Sequence, residues 1–544
     1  MKKSLLLGLL IMAVAALTLS AQSGVAIPEI RPEAIRAHMS FLASDLLEGR
    51  GTGSRGHEIA AHYVAAQYEA MGLEPGNSAS WFQVVPFRWV VPSGGQSSIT
   101  LTRPGAAPVT LGFGQDFVSS GDPLREDSTA EGEVVFAGYG ITAPEQKYDD
   151  YGSIDARGKI VAILSGAPKD FPNDLRAHHS SSLMKLDNAA AHGAIAILTF
   201  AVPAEASMFP WPRVVRQYKL GSMNWLESDG TPHATRREIH ATASITRAGV
   251  EAIFGKAAVE TIFADAEKGR PHAIASGVHA TVHIVSRHSR VESPNVVGIL
   301  RGSDPKLRDE YVVYSAHLDH LGISEPVDGD AINNGALDNA SGIAAMLEIA
   351  RVFAAAPSRP RRSILFLATT AEEKGLRGAD YFANQPTVPV SSIVADINID
   401  EILMFHPVKD VIPIGGEHSD LGDVAARAAQ TMGLELTPDP MPQEVVFVRS
   451  DQYPFVRRGV PSIYVDSGFK STDPNVDVLA METKWIREIY HTPKDDMSQA
   501  LDYRVGVQLA QFNYLIGKEV ADRTERPVWK KGDFFGDTFG KQHQ

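Results

Sequence analysis

Apolar residues recur at three- and four-residue spacing in "IRAHMSFLASDLLEG" and "HEIAAHYVAAQYEAMGL", which predicts helices between Pro28 and about Gly76, the second ending at Gly72. From about Trp81 to Ser286 the rhythm changes to short β-rich segments, among them "GEVVFAGYGI", "GKIVAIL", "GAIAILTF", "ATASIT" and "HATVHIVS". Two helical patterns interrupt them, near Leu186 to His192 and Gly249 to Lys268. After "ESPNVVGILRGS", continuous apolar strands are predicted at 295–300, 311–316, 363–369, 392–397 and 461–465. They alternate with amphipathic helices such as "SGIAAMLEIARVFAAA" and "LGDVAARAAQTMGL". This alternation predicts an α/β fold, a mostly parallel sheet flanked by helices, carrying an inserted β-rich domain.

The N-terminus adds a different kind of signal. Lys2 and Lys3 precede an apolar run from Leu5 to Leu19, and "SAQSGVA" follows, the layout of a secretory signal peptide. The expectation is export to the periplasm or the extracellular space, with no stable membrane insertion once the signal is cleaved. The chain then divides into a signal peptide (1–26), an N-terminal part of the main domain (27–127), the β-rich insert (128–289), the principal domain (290–525) and a C-terminal tail (526–544). A formal charge of −14 disfavours nucleic acid as a partner. With no cysteine in the chain, thiolate catalysis and cysteine-held zinc are excluded, and any metal must be held by His, Asp and Glu.

Ligands of parallel sheets bind beyond the carboxyl ends of the strands. There the chain places His317 with Asp319 two residues on, Asp338 before a predicted helix, the pair Glu372-Glu373, Asp400, and His491 ahead of Pro493. In an extended strand His317 and Asp319 share a face, the arrangement of a metal-bound imidazole steadied by a carboxylate. Two imidazoles and three carboxylates at one sheet edge suit two Zn²⁺ ions sharing a bridging carboxylate. In the doubled acid, one carboxylate would bind metal while the other takes a proton from the attacking water. His320 is expected to point away from the cluster, and His418 with Asp420 to open a helix. The stretch "EGRGTGSRG" reads as a flexible connection, and His178-His179 as part of an exposed loop.

The motifs "AHLDHLG", "ALDNASG", "TTAEEKGLRGA", "INIDE", "RSDQYPF" and "YHTPKDD" resemble, in order and context, the secreted di-zinc exopeptidases typified by bacterial leucyl aminopeptidase, a family that includes glutamate carboxypeptidase. "FAGYGITAPEQKYDDYGSIDARGKIVAIL" is similar to that family's inserted protease-associated domain. The resemblance implies a zinc exopeptidase fold in which Asp338 bridges two zinc ions. It puts His317 and Asp400 on one ion, and Glu373 and His491 on the other. Glu372 becomes the general base, Asp319 the residue that holds the His317 ring, and Tyr490 a stabiliser of the tetrahedral oxyanion. Peptides are the implied substrates. An anionic site favours a cationic α-amine and hence an aminopeptidase. Arg449, Arg457 and Arg458 keep a carboxypeptidase open, and a non-catalytic binding protein on the same fold is the third reading. No Gly-x-Ser-x-Gly elbow is present to support a serine hydrolase.

Overall fold

The structure is a computed structural model and describes residues 27–542; the expected signal peptide lies outside the described residues. Four parallel strands form the centre of the main sheet, in the spatial order Ser363–Thr369, Tyr311–His317, Ile393–Asn398 and Ser462–Ser467. Every residue of the first three is buried, which is why each reads as an unbroken apolar run. The alternating pleat divides that run between two cores. Val312, Tyr314 and Ala316 pack with residues of the helices Pro32–Leu42, Ser341–Ala355 and Tyr503–Asp522. Tyr311 and Val313 instead join Phe382 and Phe455 on the opposite face.

Antiparallel strands finish both edges. Asp410–Ile414 pairs with Ser462–Ser467, and the end of Ile274–Leu300 pairs with Ser363–Thr369. This 27-residue strand also ties the molecule together. Its first half pairs with Ser98–Thr102 and Asp127–Phe136 in a second sheet, and its middle runs along Phe82–Pro92. The second sheet has its own core, built from residues such as Ile99, Phe136, Ile160, Leu198 and Ile284.

The second sheet recruits strands from Ser98 onward, so the expected division at 128 falls inside it. It also carries more helix than its sequence suggested, including Asn173–Ser180 and Trp211–Lys219. His178 and His179 sit on the first of these and are buried, not looped out. His178 Nδ1 lies 2.9 Å from the Tyr453 hydroxyl, and His179 Nε2 lies 2.8 Å from Glu145 Oε1. The C-terminal segment is docked, not trailing: Trp529 Nε1 donates to Gly459 O at 2.9 Å, and Phe535 is fully buried.

"EGRGTGSRG" is a clamp, not a flexible connection. Arg50 is 1% exposed, and its guanidinium donates to the carbonyls of Leu318 (2.9 Å), Asn334 (2.6 Å), Gly335 (2.9 Å) and Leu42. Gly49 has φ +67°, and a Cβ there would stand 2.3 Å from Asn333 O, so glycine is required by both conformation and space.

Candidate metal centre

The carboxyl ends of three parallel strands converge on one cluster. His317 closes the strand Tyr311–His317, Glu372 and Glu373 follow Ser363–Thr369, and Asp400 follows Ile393–Asn398. Asp338 enters from the loop ahead of the helix Ser341–Ala355. His491 follows the helix Val478–Glu488, not a strand, and adopts φ +57°.

Asp338 stands at the middle of the arrangement. Its Oδ1 is 3.2 Å from His317 Nε2, which is also 2.9 Å from Asp400 Oδ1. Its Oδ2 is 3.2 Å from His491 Nε2, which lies 3.2 Å from Glu373 Oε2. The structure therefore brings the five sequence-expected ligands together as two groups that meet at one carboxylate.

A sixth residue joins the second group. His320 Nδ1 lies 2.6 Å from Glu373 Oε1 and 3.6 Å from Asp338 Oδ2, against the expectation that it points away. The strand ends at His317, so alternation no longer governs His320. Its amide donates to Arg50 O at 3.2 Å instead, and the clamp sets its direction.

Asp319 also differs from expectation. The ring nitrogen Nδ1 of His317 faces the Asp319 backbone carbonyl at 3.0 Å, not the side chain. The Asp319 carboxylate accepts from Glu372 N at 3.0 Å and from Thr52 Oγ1 at 2.9 Å. It positions the doubled acid, and the His317 ring is held by its backbone.

Several buried groups in the cluster lack a hydrogen-bond partner, namely Asp338 Oδ2, Glu373 Oε1 and both ring nitrogens of His320. The close approach of His320 Nδ1 to Glu373 Oε1 does not have hydrogen-bond geometry, so the two atoms turn lone pairs toward shared space. The electrostatics agree with that picture. Burial pushes Glu373 up to about 8, opposed by His491 and reinforced by Asp338. Burial, with repulsion from Glu373 and Asp400, holds Glu372 well above the usual carboxylate range. Burial disfavours charge on His317, but Asp400 and Glu372 override it and raise the ring. Buried nitrogen and oxygen donors with excess negative charge fit divalent cations.

A supporting shell steadies these groups, and the sequence had pointed to little of it. Asp495 accepts the amides of Leu337 (3.0 Å) and Asp338 (3.0 Å), fixing the loop that presents Asp338. Ser450 Oγ donates to Asp400 Oδ2, and the Tyr464 hydroxyl donates to the Asp400 carbonyl at 3.1 Å. Asp495 and Ser450 lie inside the quoted motifs "YHTPKDD" and "RSDQYPF", the one signal that could have found them. Tyr490 stacks on the His491 ring at 3.8 Å and lines the cavity that opens on Glu372 and Asp400.

The second unit, the part of the chain built around the second sheet, reaches the centre too, through the helix Trp211–Lys219. The Gln217 amide hydrogen-bonds His491 Nδ1. Arg213 donates to the carbonyls of Ile486 (2.8 Å), Arg487 (2.6 Å) and Tyr490 (3.1 Å). His418 does not belong to the site: its Nδ1 lies 2.7 Å from Asp533 Oδ2, while Asp420 accepts from Val528 N at 2.9 Å and pairs with Arg523.

With this geometry in place, the likeness to known proteins has a structural context. Residues 295–513 match Peptidase family M28. The stretch covers the strands and loops that carry all the candidate ligands. A probable zinc metalloprotease of Pyrenophora teres f. teres (strain 0-1) is 37% identical over 112 residues, 21% of this chain and 23% of that protein. Aminopeptidase NAALADL1 of Mus musculus is 38% identical over 125 residues, 21% of this chain and 15% of that protein. The chain thus spans under a quarter of the length of these relatives. Aminopeptidase YwaD of Bacillus subtilis (strain 168) is 29% identical over 213 residues, 38% of this chain and 40% of that protein. Among solved structures, the aminopeptidase from Aneurinibacillus sp. strain AM-1 superposes with a TM-score of 0.52 at 20% identity, over 91% of this chain and 95% of that one, so the two share a fold.

Proposed function

We propose that the chain is a metal-dependent aminopeptidase that binds two zinc ions and removes N-terminal residues from peptides. The observation that carries this reading is Asp338, whose two oxygens face two separate donor groups. His317 and Asp400 would hold one ion; Glu373 and His491 would hold the other, with His320 beside them. The names of the relatives, zinc metalloprotease and aminopeptidase, support the same chemistry.

Bound there, zinc would polarise the scissile carbonyl and acidify the attacking water. Glu372 takes the proton from that water and delivers it to the leaving amine, a role suited to a buried carboxylate held well above its usual range. Asp319 keeps Glu372 in place through its backbone amide. Tyr490 lines the cavity and supplies a hydroxyl for the developing oxyanion. Glu401, next to Asp400 and lining the same cavity, offers the α-ammonium group an anionic partner.

The arginines that would favour a carboxypeptidase are engaged in part. Arg449 Nη1 lies 3.3 Å from Glu444 Oε2, and Arg457 Nη1 lies 3.9 Å from Asp380 Oδ1. The test is hydrolysis of a peptide with a free or acetylated N-terminus, with and without a chelator. Acetylation and chelation should each abolish turnover. Cleavage of the acetylated peptide that is stopped by C-terminal amidation would make the enzyme a carboxypeptidase.

The second sheet would serve as a protease-associated domain that narrows access to the cleft. The Lys2-Lys3 and Leu5–Leu19 pattern supports export to the periplasm or beyond, which N-terminal sequencing of the mature protein checks.

A further inference from the structure

The cavity beside Glu372 and Asp400 continues into an acidic recess that the reaction itself does not need. One wall is the strand Ser462–Ser467, where Tyr464 and Asp466 share a face because they are two residues apart. The Tyr464 hydroxyl on the Asp400 carbonyl anchors that wall to the metal centre. The antiparallel neighbour sets Ile414 opposite Tyr464 and Ile412 opposite Asp466, and both isoleucines line the recess. The helix Val478–Glu488 turns Glu482, Trp485 and Ile486 toward the same space, at the spacing of one helical face.

Glu482 is the informative residue. It is only 5% exposed, lines the cavity, and among the described residues no hydrogen-bond donor or cation reaches its carboxylate. Asp466 accepts only the amide of Ser467, at 2.7 Å. Asp439 adds a further carboxylate to the lining. The one arginine lining this cavity, Arg449, is paired with Glu444, and Arg176 lies outside ion-pair distance of Asp439. Burial, with repulsion from Asp466, pushes Glu482 up to about 9, and burial, with repulsion from Asp439 and Asp400, pushes Asp466 up to about 7; an arriving cation would relieve both by taking the place of the proton. Buried carboxylates in an apolar-walled recess, whose one lining arginine is turned to Glu444 and not to Glu482 or Asp466, are complementary to a positive group carried on an aliphatic stem.

We propose that this recess receives the side chain of the substrate's N-terminal residue and selects lysine or arginine. The methylenes would lie along Ile412, Ile414, Trp485 and Ile486, and the ammonium or guanidinium group would meet Glu482 and Asp466. The inference rests on the aminopeptidase reading and adds its substrate class.

The experiment compares kcat/KM of the zinc-loaded full chain on lysyl, arginyl, norleucyl and citrullyl amides of aminomethylcoumarin. Norleucine keeps the aliphatic stem of lysine without its ammonium group, and citrulline is the uncharged isostere of arginine. The basic substrates should be favoured by about tenfold or more over their neutral counterparts. Glu482→Gln and Asp466→Asn should each collapse that ratio, with a loss on the lysyl amide and a gain on the norleucyl amide. A wild-type enzyme that cleaves norleucyl and citrullyl amides as well as the basic pair overturns the inference and leaves the aminopeptidase reading intact. Hydrolysis of none of the four removes that reading, and the inference falls with it.

Discussion

The side-chain amide of Gln217, on a helix of the second unit, hydrogen-bonds Nδ1 of His491, whose other ring nitrogen lies 3.2 Å from both Asp338 and Glu373. The amide nitrogen of Gln217 faces Nδ1 in the structure; a half-turn of the amide brings its oxygen there instead, so that Nδ1–H donates and the ring Nε2 keeps its lone pair for a cation. The second unit therefore completes the metal centre as well as bordering it. Gln217→Ala should weaken zinc binding by about 10- to 100-fold, read by competition with a chromophoric chelator. Gln217→Glu, which retains an acceptor for Nδ1–H, should recover much of the loss. Unchanged affinity in Gln217→Ala would mean that the ring is fixed by its stacking on Tyr490 alone.

Glu372 and Glu373 are adjacent but should separate cleanly. Glu372→Gln preserves shape and removes the proton acceptor, so zinc content should survive while kcat falls by about a hundredfold or more. Glu373→Gln removes charge from a group 3.2 Å from His491 and 2.6 Å from His320, and zinc should be lost with activity. Elemental analysis beside single-turnover rates distinguishes the two. Loss of zinc from Glu372→Gln with retention in Glu373→Gln would reverse the roles.

The metal-free protein should show an unusual pH profile. Glu373 rises from an ordinary 4.5 to about 8, so between these values the folded chain keeps a proton that the unfolded chain has released. Stability from this group is fully present below about 4.5 and is lost as pH rises through about 8. Glu482 and Asp466 act in the same direction. Zinc replaces the proton on Glu373 and removes that part of the loss. The difference in Tm between zinc-loaded and chelated protein should widen from pH 5 to pH 8, and zinc binding at pH 7 should release protons measurable by calorimetry in buffers of different ionisation enthalpy. A Tm gap independent of pH would contradict this.

The central strands were legible because burial on both faces leaves an unbroken apolar run, as in Ile364–Ala368, and the ligands follow such runs directly. His320 was not legible, since the two-residue alternation stops at His317 and the residue is aimed by a partner far away in sequence. The role of the helix Trp211–Lys219 was equally opaque. "WPRVVRQYK" does set Trp211, Val214, Val215 and Tyr218 at helical spacing, but the contacts that matter, with Ile486, Arg487, Tyr490 and His491, lie more than 250 positions away, where no local pattern reaches. Asp495 and Ser450 stood within recognised motifs, but a spacing pattern does not reveal that one fixes the Asp338 loop and the other a ligand oxygen.

Arg50 joins the N-terminal segment to the floor of the site, and its environment makes a sharp prediction. Its guanidinium serves four backbone carbonyls, from Leu42, Leu318, Asn334 and Gly335, without a direct carboxylate partner. Burial lowers its pKa to about 10, while Asp338 and Asp495 act to retain its charge. Arg50→Ala would leave the carbonyls of Leu42, Leu318 and Asn334 without this donor, Gly335 O keeping the Ala340 amide, and would open a void in the floor of the site, at a cost of about 3–5 kcal/mol. Arg50→Lys should rescue little, because a single ammonium group does not span carbonyls arranged around a planar fork. Urea denaturation of zinc-loaded and zinc-free protein measures both variants. Part of the loss should also appear as weaker zinc binding, since Arg50 holds the Leu318 carbonyl just after His317 and the Asn334 and Gly335 carbonyls in the segment that leads to Asp338. Wild-type stability in Arg50→Lys would show that charge, not the fork of donors, is what the floor of the site requires.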